Sequence, residues 1–255
     1  MAYIFDTHAH YDDPAFDSDR DTLIPSLKEQ NVCAVVNAAS DIESSRAGIA
    51  LAEKYPFIWA SVGIHPHEVG KAPENAIETL KALLTHPRVV ALGEIGLDYY
   101  YNNSPRDVQI GWFERQLDLA VKMDKPVIIH DREAHQDTLD MLRKYRPKGV
   151  VHCFSGSVEM AREVLSLGMY ISLGGAVTFK NAKKPVEVAA MVPEDRLVLE
   201  TDAPYLAPVP FRGTRCHSGL IAYTAQKIAE IRGVTVDQLL GKTCENACRL
   251  FGITL

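Results

Sequence analysis

Two histidines near the N-terminus have a spacing that suits metal binding. His8 and His10 follow a short apolar run in the segment Phe5-Asp6-Thr7-His8-Ala9-His10. Side chains alternate between the two faces of a β-strand, so both imidazoles would project from one face, about 7 Å apart along the strand. Imidazole is the commonest metal ligand, and two of them on one rigid strand form half a site. Such pairs also occur as ordinary polar strand ends, and the rest of the chain decides between these interpretations.

Four later apolar runs each end in a further possible ligand, namely Glu94, His130, His152 and Asp202. Four imidazoles and two carboxylates beside an apolar core would be costly unless metal ions held them. Six ligands exceed the four of a tetrahedral zinc site, and a carboxylate such as Glu94 can bridge two ions about 3.5 to 4 Å apart. The sequence therefore predicts two divalent ions. Nitrogen and oxygen ligands without a thiolate suit Zn²⁺, Mn²⁺ or Mg²⁺ equally.

The elements that would position these residues follow a regular alternation. Apolar runs rich in valine, isoleucine and aromatic residues alternate with amphipathic stretches, which is typical of βα units. We expect strands at 2–8, 32–39, 57–64, 89–95, 126–131, 149–154, 169–174 and 197–202, and terminal helices at 219–232 and 235–250. Eight such units predict an α/β fold, the (β/α)8 TIM barrel, as a single domain over residues 1–255. Catalytic groups of this barrel lie at the C-terminal ends of its strands, where all six candidate ligands fall.

Composition limits the class of protein. Of the 255 residues, 47% are hydrophobic and 24% are charged, as in ordinary soluble domains. The net charge of −6 argues against a protein that coats nucleic acid through a basic surface. An enzyme that meets one phosphate at a time remains compatible with this charge, because bound cations would be the largest local charges. Without a signal-like start or a membrane-length apolar stretch, and with five cysteines that form no C-x-x-C pair, the chain is expected to be cytoplasmic, without a membrane or an obligatory protein partner.

Six motifs in this order resemble the TatD-type metal-dependent deoxyribonucleases, which are amidohydrolase-like TIM barrels. They are Phe5-Asp6-Thr7-His8-Ala9-His10, Gly63-Ile64-His65-Pro66-His67, Gly93-Glu94-Ile95-Gly96-Leu97-Asp98-Tyr99, Pro126-Val127-Ile128-Ile129-His130, His152-Cys153-Phe154-Ser155-Gly156 and Glu200-Thr201-Asp202-Ala203-Pro204-Tyr205-Leu206. The resemblance spans all eight strands. It implies a divalent-metal phosphoesterase that acts on DNA, typically as an exonuclease from 3′ ends. It also implies that His8, His10, Glu94, His130, His152 and Asp202 are the metal ligands.

Two carboxylates among these ligands are also the predicted catalytic groups. Asp202 would accept the proton of the attacking water, and Glu94 would act beside it at the metal ions. His65, at the end of strand three, is expected to contact the substrate, and His67 is assigned to the following loop. Arg212 follows strand eight, where phosphates are commonly bound in this fold.

Neighbouring acidic residues would orient the ligands. Glu200 shares a strand face with Asp202 and is expected to bond to a ligand. Asp98 either orients an imidazole or forms an ordinary turn. The loop Arg212-Gly213-Thr214-Arg215-Cys216-His217-Ser218 departs from the family's Arg-Gly-Lys-x-Asn-x-Pro pattern at Cys216 and Ser218, which leaves its substrate contacts open.

Two other functions remain open. A related barrel could hydrolyse a lactone, a cyclic amide or a phosphotriester, although such enzymes often use a modified lysine as the bridging ligand and strand four offers only Glu94. A non-catalytic metal-binding protein would need neither a candidate base nor a full ligand set. Phosphodiester hydrolysis at DNA 3′ ends is therefore the preferred prediction.

Overall fold

Eight parallel strands form one sheet in chain order in the computed structural model, which describes residues 3–255. The strands are β1 (Ile4–Ala9), β2 (Val32–Asn37), β3 (Ile58–Val62), β4 (Val89–Asp98), β5 (Val127–Arg132), β6 (Gly149–Val151), β7 (Tyr170–Leu173) and β8 (Leu197–Leu199). This arrangement confirms the predicted (β/α)8 TIM barrel. The predicted start of the first strand at residue 2 lies outside the described residues. The single domain over residues 1–255 stays a prediction.

Helices follow the strands and cover the outside of the barrel. They are α1 (Arg20–Ser26), α2 (Ile42–Lys54), α3 (Ala76–Leu83), α4 (Arg106–Lys122), α5 (His135–Tyr145), α6 (Val158–Ser166), α7 (Lys183–Met191), α8 (Ile221–Arg232) and α9 (Val236–Phe251). The two predicted terminal helices correspond to α8 and α9, with ends that differ by at most two residues. None of the helices in the described part of the chain is long and apolar enough to span a bilayer.

The last helix closes the N-terminal end of the barrel. Inward-facing strand residues such as Phe5 and Val198 form one buried cluster with Leu250 and Phe251 of α9. The rings of Phe5 and Phe251 stack with centroids 6.1 Å apart. Reciprocal hydrogen bonds between Thr235 and Gln238 form a capping box that begins α9 and fixes its start. Because this end is filled with apolar side chains, the polar residues of the strands are confined to the opposite end.

Backbone hydrogen bonds close the barrel between β1 and the residues after β8. The amide of Asp202 donates to the carbonyl of His8 at 2.9 Å, and the amide of His10 donates to the carbonyl of Ala203 at 2.7 Å. Ala9 and Ala203 form a parallel bridge at the same place. This closure sets His8 of β1 and His10, which follows β1, beside Asp202, although about 190 residues separate them in sequence.

A buried carboxylate supports the same closure from within. Asp6, which is fully buried, accepts hydrogen bonds from the amides of His8 and Thr201 and from the hydroxyls of Thr201 (2.6 Å) and Ser218 (2.7 Å). Tyr11 in turn donates to the Ser218 hydroxyl at 2.8 Å. Asp6 therefore ties β1 to the end of β8 and to the segment before α8, and its role was not evident from the sequence.

Replacing Asp6 by asparagine should destabilise the fold. The asparagine side chain would keep one acceptor oxygen and turn an NH₂ group toward donors, so buried hydroxyl donors would lose their partner. We expect Asp6→Asn to lower the free energy of unfolding by about 1 to 3 kcal/mol in urea denaturation. The exposed Asp140→Asn exchange on α5 is the control and should leave the urea midpoint nearly unchanged. Equal stability of the two variants would show that the Asp6 contacts do not hold the closure.

Candidate metal centre

The six predicted ligands meet at the C-terminal end of the barrel, around the carboxylate of Glu94. Its Oε2 lies 3.2 Å from Nε2 of His8 and 3.8 Å from Nε2 of His10. The same two nitrogens lie 3.7 and 3.5 Å from Oδ1 of Asp202. One group of candidate ligands is therefore His8, His10, Glu94 and Asp202.

A second group faces the other oxygen of Glu94. Oε1 lies 2.7 Å from Nδ1 of His130 and 2.8 Å from Nε2 of His152. His65 Nε2 is slightly farther away, at 3.4 Å. Each oxygen of Glu94 thus faces its own set of imidazoles, which is the arrangement that a carboxylate bridging two cations needs.

The hydrogen bonds of the imidazoles favour tautomers that bind metal. His10 Nδ1 lies 2.9 Å from the carbonyl of Ala38, which can only accept, so Nδ1 carries the proton and Nε2 of the neutral ring presents its lone pair. His130 Nε2 lies 3.2 Å from Asp98 Oδ2, which leaves the lone pair of its Nδ1 directed at Glu94. His8 Nε2 and His10 Nε2 are only 3.1 Å apart. Lone pairs this close to one another and to a carboxylate repel unless a cation or a proton lies between them, so the donor set fits divalent cations.

Asp98 orients two histidines and also forms a turn. Its Oδ2 bonds to His67 Nε2 at 2.8 Å as well as to His130, while its Oδ1 accepts from the amides of Tyr100 and Tyr101 at 3.0 and 2.9 Å. The sequence had left these two roles as alternatives. It also assigned His67 only to a loop and missed this bond, because nothing local in the sequence connects His67 to the end of β4.

Glu200 lies beside both groups of candidate ligands. It is fully buried, accepts from the amide of Cys153 at 2.5 Å, and its Oε1 is 3.6 Å from Nδ1 of His152. The ring of His8 stacks on that of His152 with centroids 3.9 Å apart. Among the described residues, Nδ1 of His8, Nδ1 of His152 and Oε2 of Glu200 have no hydrogen-bond partner. A carboxylate next to two stacked imidazoles favours protons on their Nδ1 atoms and lone pairs on the Nε2 atoms that face Glu94.

Charges within the cluster shift its pKa values in opposite directions. Burial alone would raise the pKa of Glu94, but the charges of His152, His65 and His8 and the hydrogen bond of His130 together hold it well below its usual range. Burial would lower the pKa of His152, yet Glu94 and Glu200 raise it well above the ordinary value. In the metal-free protein, protons bound to the histidines therefore balance the charge of the carboxylates. Metal cations would balance the same charge when bound.

Burial has the dominant effect on His65, and it lowers the pKa to about 4. The amide of His67 donates to Nδ1 of His65 at 3.1 Å, so the neutral ring carries its proton on Nε2. His65 is therefore a neutral hydrogen-bond donor at the edge of the cluster near pH 7.

A cleft of about 710 Å³ opens above the cluster. Its lining includes His65, the carboxylates of Asp12, Asp13 and Glu68, and three residues for which the sequence predicts no role, Tyr101, Arg132 and Tyr205. Arg212 is exposed outside this lining, with its guanidinium 3.7 Å above the ring of Phe179. Its predicted contact with the substrate stays a prediction.

The unusual loop after β8 makes contacts within the fold. Arg215 forms a two-point ion pair with Asp19, at 2.8 and 2.5 Å. Cys216 is fully buried, and its amide donates to the carbonyl of Pro204 at 2.9 Å. Ser218 donates to Asp6 at the barrel closure. At these positions the described contacts lie within the fold and do not involve the candidate metal ligands.

Comparison with known proteins shows the family of this chain. The family model described as TatD related DNase matches residues 5–252. The chain belongs to the TatD family. YabD of Bacillus subtilis, an uncharacterized metal-dependent hydrolase, is 41% identical to this TatD protein over 253 residues, which cover 98% of this chain and 99% of YabD. The 3′-5′ ssDNA/RNA exonuclease TatD of Erwinia tasmaniensis is 32% identical over 98% of this chain and 100% of its own length.

Solved structures agree with this membership. The crystal structure of YJJV, a TatD homologue from Escherichia coli K12, matches this TatD protein with a TM-score of 0.93 and 32% identity over 98% of each chain. A lactonase from Deinococcus radiodurans, at 15% identity and a TM-score of 0.65, shares the fold alone. This TatD protein is therefore a metal-dependent hydrolase.

Glu94→Gln should lower the pKa of the neighbouring histidines in the metal-free protein. The charge of Glu94 raises the pKa of both His130 and His152 against burial, so a neutral amide removes that support. We expect their imidazole signals to titrate at lower pH in an NMR titration of the EDTA-treated variant. Glu163→Gln, an exposed exchange on α6, should leave both titrations in place. Unchanged values in Glu94→Gln would mean that the carboxylate does not interact electrostatically with the cluster.

Proposed function

We propose that this protein is a divalent-metal-dependent nuclease that removes nucleotides one at a time from the 3′ ends of single-stranded DNA. The observation that carries the proposal is that the two carboxylate oxygens of Glu94 face separate groups of candidate ligands, an arrangement that favours two cations. The name of the Erwinia tasmaniensis relative supports a nucleic-acid substrate. The ligands would be His8, His10 and Asp202 in one group and His130 and His152 in the other, with Glu94 shared. When bound, such ions would lower the pKa of a water molecule and offset the charge of a phosphate.

Asp202 is the proposed general base. Its side chain is 19% exposed, against 5% for Glu94, so it is the carboxylate more open to a water in the cleft. Burial alone would raise its pKa, but in the metal-free protein the hydrogen bond from protonated His10 and the charges of the nearby histidines lower it, which keeps the carboxylate ionised. Its backbone has φ of 63°, a left-handed conformation held by the hydrogen bond to His8, and such conformations cluster at functional sites. Asp202 would accept the proton of the attacking water.

His65, Glu200 and Asp98 have supporting roles in this proposal. Neutral His65 would donate from Nε2 to a phosphate oxygen, since its Nδ1 is already occupied by the amide of His67. Glu200 would hold His8 and His152, and Asp98 would hold His130, in the tautomers that bind metal. The cytoplasmic location and the absence of an obligatory protein partner also remain proposals from the sequence.

Hydrolysis of a lactone, a cyclic amide or a phosphotriester is the rival activity on this scaffold. The likeness to the Deinococcus lactonase concerns the fold alone and gives this activity no support of its own. The cleft is lined by the exposed rings of Tyr101 and Tyr205 and by Arg132, which forms no ion pair with the described residues. This lining suits a phosphate and an aromatic base better than a small neutral ring.

The direct test uses a 5′-labelled single-stranded oligonucleotide and the EDTA-treated protein with Mg²⁺, Mn²⁺ or Zn²⁺ restored. We expect stepwise shortening from the 3′ end only when metal is present. Asp202→Asn should reduce the rate by about 10² to 10⁴-fold, because the base is lost while the fold and its melting temperature are kept. His130→Ala should abolish shortening.

A matched oligonucleotide with an inverted 3′-terminal nucleotide is the control, and it should stay intact. Near-normal activity of Asp202→Asn would remove the assignment of the base. Absence of cleavage with every metal, together with turnover of a lactone or amide panel, would replace the nuclease with the rival hydrolase.

A further inference from the structure

The cleft above the candidate ligands contains one lysine or arginine side chain among the described residues, and its other charged residues outside the ligand cluster are acidic. Among the described residues that line it, Arg132 is the one lysine or arginine, and Asp12, Asp13 and Glu68 surround the opening. A polyanion would be repelled by these three carboxylates everywhere except at the metal ions and at Arg132. The cleft therefore favours one phosphate contact beyond the reacting one.

The strand register places Arg132 above the candidate ligands. His130 and Arg132 are two residues apart on β5, so their side chains leave the same face, with Arg132 about 7 Å farther toward the mouth. In the register of the sheet, Arg132 lies opposite Asp98 of β4, and the backbone carbonyl of Arg132 accepts a hydrogen bond from the amide of Tyr99 at 2.9 Å. The sheet that holds His130 therefore also holds the backbone of Arg132, and this fixes the distance between the Arg132 backbone and the candidate ligands.

The guanidinium of Arg132 lies over two aromatic rings, and its N–H groups form no ion pair with the described residues. It lies 4.3 Å from the ring centroid of Tyr100 and 4.6 Å from that of Tyr101. No carboxylate of the described residues forms an ion pair with it, whereas Arg215 is fully engaged by Asp19. The two rings are nearly perpendicular, at 87°, so at most one of them lies parallel to the guanidinium. The N–H groups that the described residues leave without an ion pair match the oxygens of a phosphate.

The neighbouring tyrosines offer a surface for a base. Tyr101 lines the cleft and is 55% exposed, although its ring is large and apolar. The ring of His67 packs against it edge-on, with centroids 5.5 Å apart, and the amide of Tyr101 is held by Asp98. An exposed aromatic ring held in place beside a free guanidinium is the combination that binds single-stranded nucleic acid.

We propose that Arg132 and Tyr101 form the subsite for the nucleotide on the 5′ side of the cleaved bond. Arg132 binds the phosphate on the 5′ side of that nucleotide, and Tyr101 stacks on its base. This inference rests on the proposed function. It makes the recognition short, one nucleotide beyond the reacting phosphate, in agreement with the acidic residues at the mouth.

The test separates the subsite from the reaction by using two substrates. Thymidine 5′-(4-nitrophenyl phosphate) supplies the terminal nucleotide and has 4-nitrophenol in place of the inner strand, so it does not reach the subsite. A fluorescent hexanucleotide with phosphorothioate 3′ linkages reports binding by anisotropy, without turnover, in the metal-loaded protein. Both are compared in the wild type and in the variants Arg132→Ala and Tyr101→Leu.

We expect each variant to weaken hexanucleotide binding about 10-fold while kcat/KM for the nitrophenyl ester changes less than about twofold. The two variants differ in their salt dependence. Arg132→Ala should reduce the slope of log Kd against log salt by about 0.7, the value for one phosphate contact on a single strand. Tyr101→Leu should leave the slope unchanged. Arg115→Ala removes another guanidinium that stacks on a ring, at 4.3 Å from Trp112 on α4, and should match the wild type in every assay.

Three outcomes would overturn the inference. Unchanged Kd and slope in Arg132→Ala, in a protein that shortens oligonucleotides, would reject the subsite and leave the proposed function standing. Equal losses on the ester and the hexanucleotide would place Arg132 at the terminal nucleotide instead. A wild type that neither binds nor shortens oligonucleotides would reject the proposed function, and the subsite with it.

Discussion

The buried carboxylate of Glu94 is the constraint on which the rest of the site depends. An ionised carboxylate among five imidazoles, and almost out of contact with solvent, is stable only if positive charge lies on both sides of it. Protons on the histidines supply that charge in the metal-free protein. Two divalent cations would supply it more effectively, because each would also be bound by several ring nitrogens at once. The fold holds these nitrogens directed inward before any metal binds, as a metal-dependent hydrolase needs.

Two features of the barrel hold that arrangement. Apolar packing of α9 against the N-terminal end of the strands leaves the opposite end for polar side chains. The closure between β1 and the residues after β8, supported by the buried carboxylate of Asp6, brings His8 and His10 to Asp202. Neither feature touches a substrate, yet a shift in either one would separate the candidate ligands His8 and His10 from Asp202. The stability of the fold and the geometry of the centre therefore depend on the same contacts.

Sequence patterns predicted the barrel and the convergence of the candidate ligands because both follow from local periodicity. A strand that ends in a histidine or a carboxylate places that group at the rim, whatever the rest of the chain does. Asp6 and His67 could not be recognised in this way, because their partners come from other elements. The bond between Asp6 and Ser218, for example, joins residues 212 positions apart.

For Arg212, position in the sequence suggested a role that the position alone does not decide. Its position in the loop after β8 suggested a phosphate contact, but the direction of its side chain depends on its packing against Phe179, in another part of the chain. Arg132 comes from a strand end that the sequence had already placed at the rim. It was overlooked because an arginine two residues after a ligand has no pattern of its own. Which arginine faces the cleft is set by packing between elements, and local sequence does not encode that packing directly.

The most direct measurement of the central claim is the number and coupling of metal ions in the EDTA-treated protein after titration with Mn²⁺. If Glu94, His8, His10 and Asp202 hold one ion and Glu94, His130 and His152 hold another, the two ions would be close enough to couple magnetically. They should give two Mn²⁺ per chain and the EPR spectrum of a magnetically coupled pair, and Glu94→Gln should remove the coupling. A single isolated Mn²⁺ per chain in a fully active protein, with the same spectrum in Glu94→Gln, would contradict the account.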